Sequence, residues 1–210
     1  MKDVLDEMLQ SDVIEEHPSG EPAPWASNIV IAPKDDGDIR ITLDAKNVND
    51  AILSSSYPIP RQEDIKAKLA GSKVFSKLDL KSAFWQLELD AQSRPLTVFH
   101  GLGKMYRYKR LVMGLKPAQG ELNAAMQALF AHMPEVHVIH DDIIIGSSCN
   151  KSHKKVLQKV IKILSNAGLT LNSIRCVFGV KEIRFWGLIF SAEGVRPDQR
   201  RLMPLSTSHL

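Results

Sequence analysis

The chain has 210 residues, 27 Lys+Arg against 24 Asp+Glu for a formal net charge of +3, and is 44% hydrophobic and 24% charged. That balance is the one of a folded globular protein and excludes a disordered or fibrous chain. The apolar stretches 29–32 and 185–190 fall far short of the ~18 residues that cross a bilayer, so no membrane partner is expected. Residues 1–16 are rich in Asp and Glu and read as neither a signal nor a transit peptide. Two cysteines, Cys149 and Cys176, cannot build a disulfide framework, which points to an intracellular compartment, cytoplasm or nucleus.

In chain order, Val4, Leu5, Met8 and Leu9 recur at helical spacing, which predicts an acidic amphipathic helix over 1–16. Prolines at 18, 22 and 24 break it. Two β-branched runs, 27–32 and 39–43, flank Lys34-Asp35-Asp36-Gly37-Asp38 and predict a hairpin. After Tyr57-Pro58-Ile59-Pro60, a helix over 61–70 ends at Gly71. Strands follow at 74–80, 86–89 and 105–112. Pro117 then opens a helix with Ala118, Leu122, Ala125 and Leu129 on one face. Strands at 136–139 and 143–145 are separated only by His140-Asp141-Asp142. A helix over 154–164 carries Lys154, Lys155, Lys159 and Lys162 on its outer face and closes at Gly168. Strands at 175–180 and 183–190 complete the chain. Antiparallel hairpins with helices on one face make an α+β fold.

The most informative feature is acidic. Asp79 closes one apolar strand, and Asp141-Asp142 sits between two others. Clustered carboxylates repel one another unless cations lie between them. Mg2+ takes such oxygens, and two ions together clamp the attacking and leaving oxygens of a phosphoryl transfer. Neighbours on an extended chain face opposite ways, so Asp141 is expected to act with Asp79, and Asp142 to stand further out. An ordinary Asp-Asp turn is the competing reading, weakened by the buried character of the flanking isoleucines.

A second candidate is Lys104-Met105-Tyr106-Arg107-Tyr108-Lys109-Arg110, cations and aromatics mixed on a strand as in surfaces that track nucleic acid. Here a charged edge strand that blocks aggregation is the alternative.

Taken together, these motifs resemble the reverse transcriptases of gypsy-type long-terminal-repeat retrotransposons and retroviruses. The resemblance rests on Trp25-Ala26-Ser27-Asn28-Ile29-Val30, on Pro33 through Arg40, and on Leu43-Asp44-Ala45-Lys46-Asn47-Val48-Asn49. It continues through Phe75-Ser76-Lys77-Leu78-Asp79-Leu80, Met113-Gly114-Leu115-Lys116-Pro117-Ala118, Asp141-Asp142, Gly168-Leu169-Thr170-Leu171-Asn172 and Phe178-Gly179-Val180. It spans about residues 3–198.

It implies a right-hand polymerase of fingers and palm, with 1–16 an amino-terminal helix, 17–56 and 88–116 fingers, 57–87 and 117–198 palm. Nothing after Asp198 resembles a thumb, and 199–210 reads as an unrelated tail. The implied activity is template-directed DNA synthesis from dNTPs on a primed RNA or DNA template, with the thumb and RNase H segments supplied by a parent polyprotein. Asp79, Asp141, Asp142 and the Leu80 carbonyl are implied to ligate two Mg2+ ions, with Mn2+ as a substitute. Lys34 and Arg40 are implied to hold the triphosphate, Phe84 to exclude a ribose 2′-hydroxyl, and Met113 and Arg175 to contact the nucleotide. Tyr106, Arg107, Tyr108, Lys109 and Arg110 are implied to line the template.

Departures from the family pattern occur at Asp35, where a second Lys is usual, at Ile139-His140, at Gln119-Gly120-Glu121-Leu122-Asn123, and at Arg175 in place of a Lys. Arginine cannot release a proton near neutral pH, so Arg175 keeps charge stabilisation and loses the general-acid role. The reading from another class is a truncated, inactive retroelement remnant that binds nucleic acid at most. A zinc module from His137, His140, Cys149 and Cys176 lacks a Cys-x-x-Cys pair, and Gly101-Leu102-Gly103-Lys104 lacks P-loop spacing.

Overall fold

Leu5 and Met8 recur at helical spacing, and in the computed structural model they are buried on α1 (Lys2–Gln10). The structure describes residues 1–33, 39–53 and 61–199. Helix α1 stops short of the expected residue 16. Asp12 turns the chain with φ +56, and β1 (Ile14–Glu16) follows. The β-branched pair Val13-Ile14 prefers a strand and is buried there.

Two compact units make up the chain, Met1–Tyr57 with Ser82–Ala124, and Pro58–Lys81 with Ala125–Leu210. In the first, β2 (Asn28–Pro33) and β3 (Ile39–Asp44) pair antiparallel as expected. Residues 34–38 between them, Lys34 and Asp35 included, and residues 54–60 lie outside the described residues. A short helix α2 (Lys46–Ala51) follows β3, with Val48 buried. The expected strand over 86–89 is instead a 3-10 turn, Ala83–Gln86, followed by a single bridge, Glu88 to Arg110. A three-stranded sheet of order β1-β6-β5 is made with β5 (Phe99–Gly101) and β6 (Lys104–Tyr108). Its core joins Leu5, Met8, Ile14, Leu43, Val48, Phe99 and Tyr108.

Helix α4 (Ala118–Phe130) buries Ala118, Leu122, Met126 and Phe130, a strict i, i+4 line. The expected Ala125 and Leu129 are only half-buried.

The second unit is built on α3 (Gln62–Leu69), β4 (Val74–Asp79), β7 (Val136–Ile139), β8 (Asp142–Ser147), α5 (Asn150–Asn166) and β9 (Val177–Val180). The sheet order is β7-β8-β4-β9, antiparallel between neighbours, so β4 and β8 lie at its centre. Strand period two splits its residues cleanly between the faces. Ser76, on β4, faces α5, whose buried His153 bridges Ser76 Oγ (2.7 Å) and Ser147 Oγ (3.0 Å). The opposite face carries Phe75, Ile139 and Ile144, packed with Ile65 and Leu69 of α3 and with Ile183, Phe185, Leu188 and Phe190. Helical cover is therefore not confined to one face. The single strand expected over 183–190 is a hairpin of β10 (Glu182–Phe185) and β11 (Leu188–Ser191), because Trp186 (φ +50) and Gly187 (φ +76) form a two-residue turn. Strand β12 (Gly194–Pro197) completes that sheet. Among the described residues no helix is long and apolar enough to cross a membrane.

Candidate active site

Strands β4 and β8 run side by side with Asp79 opposite Asp142 and Lys77 opposite Ile144. Strands β7 and β8 are joined by a two-residue turn, His140-Asp141, closed by the Ile139–Asp142 pair. Asp142 thus belongs to the strand, and Asp141 stands exposed in the turn beside it. His140 has φ +57 and Asp141 is not among the positive-φ residues, the pattern of a type II′ hairpin turn. A non-glycine residue in that conformation is strained by about 1 kcal/mol or more. The His140 ring meets Trp186 edge to face, centroids 6.5 Å apart.

The segment after α5 explains the Gly168–Asn172 motif. Helix α5 ends in a Schellman motif: Gly168 N–H donates to Ser165 O (3.1 Å), and Leu169 N–H to Leu164 O (2.9 Å). Gly168, at φ +70, allows the reversal. The chain then runs beside the end of β4, Lys81 N–H donating to Thr170 O (3.0 Å) and Asn172 N–H to Asp79 O (2.8 Å). In this Leu80–Leu171 bridge the flanking residues make the hydrogen bonds, so the Leu80 carbonyl is turned to the other edge of its strand. Cys176, which the sequence offers neither as half of a disulfide framework nor as part of a zinc module, accepts the Asp79 N–H on its sulfur at 3.4 Å.

Burial, and then the neighbouring Asp141 charge, hold the Asp79 carboxyl above the usual carboxylate range, against the pull of Arg175 and Lys77. Asp79 is 8% exposed. Asp142 is also raised, by burial first, with Asp141 and Asp79 adding to it and Lys77 opposing. Lys77 Nζ stands 2.9 Å from Asp142 Oδ1. Among the described residues no three His, Cys, Asp or Glu side chains converge as a ready metal cage. The donor set nonetheless fits a hard divalent cation: carboxylate oxygens that repel one another, beside a carbonyl free of its nearest bridge. A cavity of about 200 Å³ opens beside Asp141 and Asp142, lined also by Lys77, His140, Arg184, Trp186 and Asp198 among others. Trp186 and Gly187 were not singled out in the sequence, although a Gly after an aromatic within an apolar run is a turn signal.

Asp79, Leu80, Asp141, Asp142 and Arg175 therefore belong to the second unit, and Arg40, Phe84 and Met113 to the first. Arg40 projects from β3 as an exposed residue opposite Ala32. Phe84 is half-buried in the turn that Ser82 (φ +49) begins. Met113 is exposed. The loop after it is clamped by Asn49, whose Nδ2 donates to Gly114 O and whose Oδ1 accepts from Lys116 N–H, both at 2.7 Å. Two of the quoted sequence motifs thus meet in one contact.

The β6 region requires a correction. Tyr106 and Tyr108 are core residues packed on Phe99, with ring centroids 5.7 and 5.3 Å apart, and offer no face to a base. Arg107 pairs with Glu15 (2.7 Å) and Glu21 (2.8 Å), Lys109 with Asp12, and Arg110 with Asp12 (3.7 Å). The cations balance the acidic amino-terminal segment, and the aromatics fill the core beneath it.

The reverse transcriptase (RNA-dependent DNA polymerase) family matches the sequence over residues 32–190. Uncharacterized protein K02A2.6 of Caenorhabditis elegans is 34% identical over 182 residues, 85% of this chain and 14% of that protein. The transposon Tf2-3 polyprotein of Schizosaccharomyces pombe is 28% identical over 204 residues, 96% of this chain and 15% of the polyprotein. The chain thus spans about one seventh of the length of these relatives. Among solved structures, a foamy viral protease-reverse transcriptase in complex with double-stranded DNA matches with a TM-score of 0.89 and 25% identity, over 98% of this chain and 36% of the viral one. The native prototype foamy virus protease-reverse transcriptase matches with a TM-score of 0.80 and 27% identity, over 94% of this chain and 26% of that one.

Proposed function

This chain belongs to the reverse transcriptase (RNA-dependent DNA polymerase) family, and on that premise we propose that it is the fingers and palm of a gypsy-type retrotransposon enzyme that extends a primer on an RNA or DNA template with dNTPs. The observation that carries the reading is the strand register that sets Asp79 opposite Asp142, with Asp141 in the adjoining turn. In this reading the unit holding these acids is the palm, and the unit holding Arg40, Phe84 and Met113 is the fingers. The chain works as one part of a longer polyprotein.

Asp79, Asp141, Asp142 and the Leu80 carbonyl would hold two Mg2+ ions, or Mn2+ in their place. Such ions supply activation of the primer hydroxyl and charge stabilisation at the leaving pyrophosphate. The chain's own residues bind and orient. Arg40, with Lys34, grips the triphosphate, the guanidinium being suited to bidentate contact with phosphate oxygens. Phe84 stands against the sugar 2′ position, and Met113 contacts the nucleotide. Arg175 steadies negative charge without donating a proton. The polypeptide NH of Asp79, held by Cys176, and its carbonyl, held by Asn172, fix the carboxylate's backbone on both sides.

One observation favours a second reading, an inactive remnant: Asp142 is engaged by the Lys77 ammonium. Primer extension on an RNA template with Mg2+ or Mn2+ separates the two. Extension that Asp141→Asn abolishes is the expected result. Template binding without extension in either metal would overturn the polymerase in favour of the remnant.

A further inference from the structure

Lys77 has no role in the chemistry above, yet its position is tightly set. It lies two residues before Asp79 on β4, so strand period puts both side chains on one face of the sheet. The β4–β8 register sets Asp79 opposite Asp142 and Lys77 opposite Ile144, which makes Lys77 and Asp142 diagonal neighbours on that face. Nζ reaches to 2.9 Å from Asp142 Oδ1, and each side chain is only 25% exposed. Water screens such a pair less than one on an open surface. Around it stand two further acids, Asp79 and Asp141, whose charges act on Asp142 in the same sense.

We propose that the Lys77 ammonium is an internal counter-cation at Asp142 which a divalent metal ion must displace, so that Lys77 sets the metal concentration at which the acidic site fills. The proposal rests on the reading of Asp79, Asp141 and Asp142 as a divalent-metal site. An ammonium and a dication cannot share one carboxylate oxygen at contact distance, because Mg2+ binds oxygen at about 2.0–2.1 Å and the two cations would repel strongly. In the absence of metal, Lys77 offsets part of the repulsion among the three carboxylates. When metal binds, the ammonium moves off Oδ1 into the cavity that it already lines.

The test uses this full chain without nucleotide or nucleic acid. Mn2+ binding is measured by isothermal titration and by the loss of the free-ion EPR signal. Lys77→Gln and Lys77→Met are expected to bind Mn2+ about 5-fold more tightly than the parent chain. Lys77→Arg, which keeps the charge, is expected to bind no more tightly. The gain is expected to vanish in an Asp142→Asn background, as a double-mutant cycle requires.

A second measurement needs no loss of charge. In the parent chain labelled with 15N-lysine, the Lys77 ammonium resonance, assigned with Lys77→Arg, is expected to shift and broaden as Mg2+ is added. If the parent binds Mn2+ while both neutral variants bind it equally or more weakly, the Lys77 proposal falls and the metal-site reading stands. A Lys77 resonance unmoved by saturating Mg2+ has the same consequence. If no chain with Asp142 intact binds Mn2+, both fall.

Discussion

Asp79 and Asp142 occupy directly opposed positions on adjacent antiparallel strands, each carboxyl held above its usual range by burial and by neighbouring acids. Like charges directly opposed across a ladder are destabilising by a few tenths to about 1 kcal/mol. The sheet therefore carries an internal cost at the place where the chemistry is proposed to occur. Asp79→Asn should raise the melting temperature of the metal-free chain while abolishing primer extension and the stabilisation that Mg2+ gives the parent. A variant less stable than the parent without metal would contradict the repulsion.

Tyr108 distinguishes a core from a nucleic-acid surface. Its side chain is 0% exposed and its hydroxyl has no hydrogen-bond partner, while burial pushes its ionisation well above the ordinary range. An unmade buried hydrogen bond costs about 1–3 kcal/mol, so Tyr108→Phe should leave stability unchanged or higher. Binding to an RNA/DNA duplex should not move. A lower affinity with an intact fold would restore the base-stacking role.

His137, on β7, is 8% exposed, and its Nε2 has no partner. Burial, with Lys68 adding, lowers its pKa to about 4 from 6.5, against Glu135. Between these values the unfolded chain binds the proton that the folded chain refuses, so stability is full above about pH 6.5 and falls as the pH drops towards 4. The loss amounts to roughly 3 kcal/mol across that window. His153, depressed by burial as well, acts in the same direction. His137→Phe should flatten the dependence of the urea midpoint on pH between 7 and 4.5 without removing it. An identical slope in both proteins would show that His137 is not the source.

Gly114 lies in the Met113–Ala118 motif for a steric reason. Its φ is +106, and a Cβ there would sit 2.6 Å from the Leu43 carbonyl oxygen, a backbone atom that cannot rotate away. Gly114→Ala should therefore destabilise by about 2 kcal/mol or more. Gly20→Ala, at φ +89 with nothing within 4 Å of its Cβ, should cost only about 1 kcal/mol. Equal losses in chemical denaturation would mean that conformation alone, without the contact, explains Gly114.

Much of this was legible in order along the chain. Helices α3, α4 and α5, the β2–β3 hairpin and the strands that carry Asp79 and Asp142 follow from apolar period and from turn residues, all properties of neighbouring positions. Two segments depart from their local pattern, each for its own reason. Residues 11–16 continue an acidic helical pattern, but Ile14 has β6 to pair with, and that partner lies more than ninety residues away. The run 183–190 is apolar apart from Arg184 and Gly187 and reads as one strand, so its periodicity did not reveal the turn at Trp186-Gly187.

By itself, the sequence determined the family, the α+β class, and which carboxylates would stand at strand ends, because motif order and period two are written locally. Only the tertiary structure decided that Asp142 sits within its strand opposite Asp79, that Lys77 reaches it, and that Tyr106 and Tyr108 face inward. Each of these depends on which strand lies alongside which, and in what register. A single-residue slip would reverse every side chain, and no local pattern contains that choice.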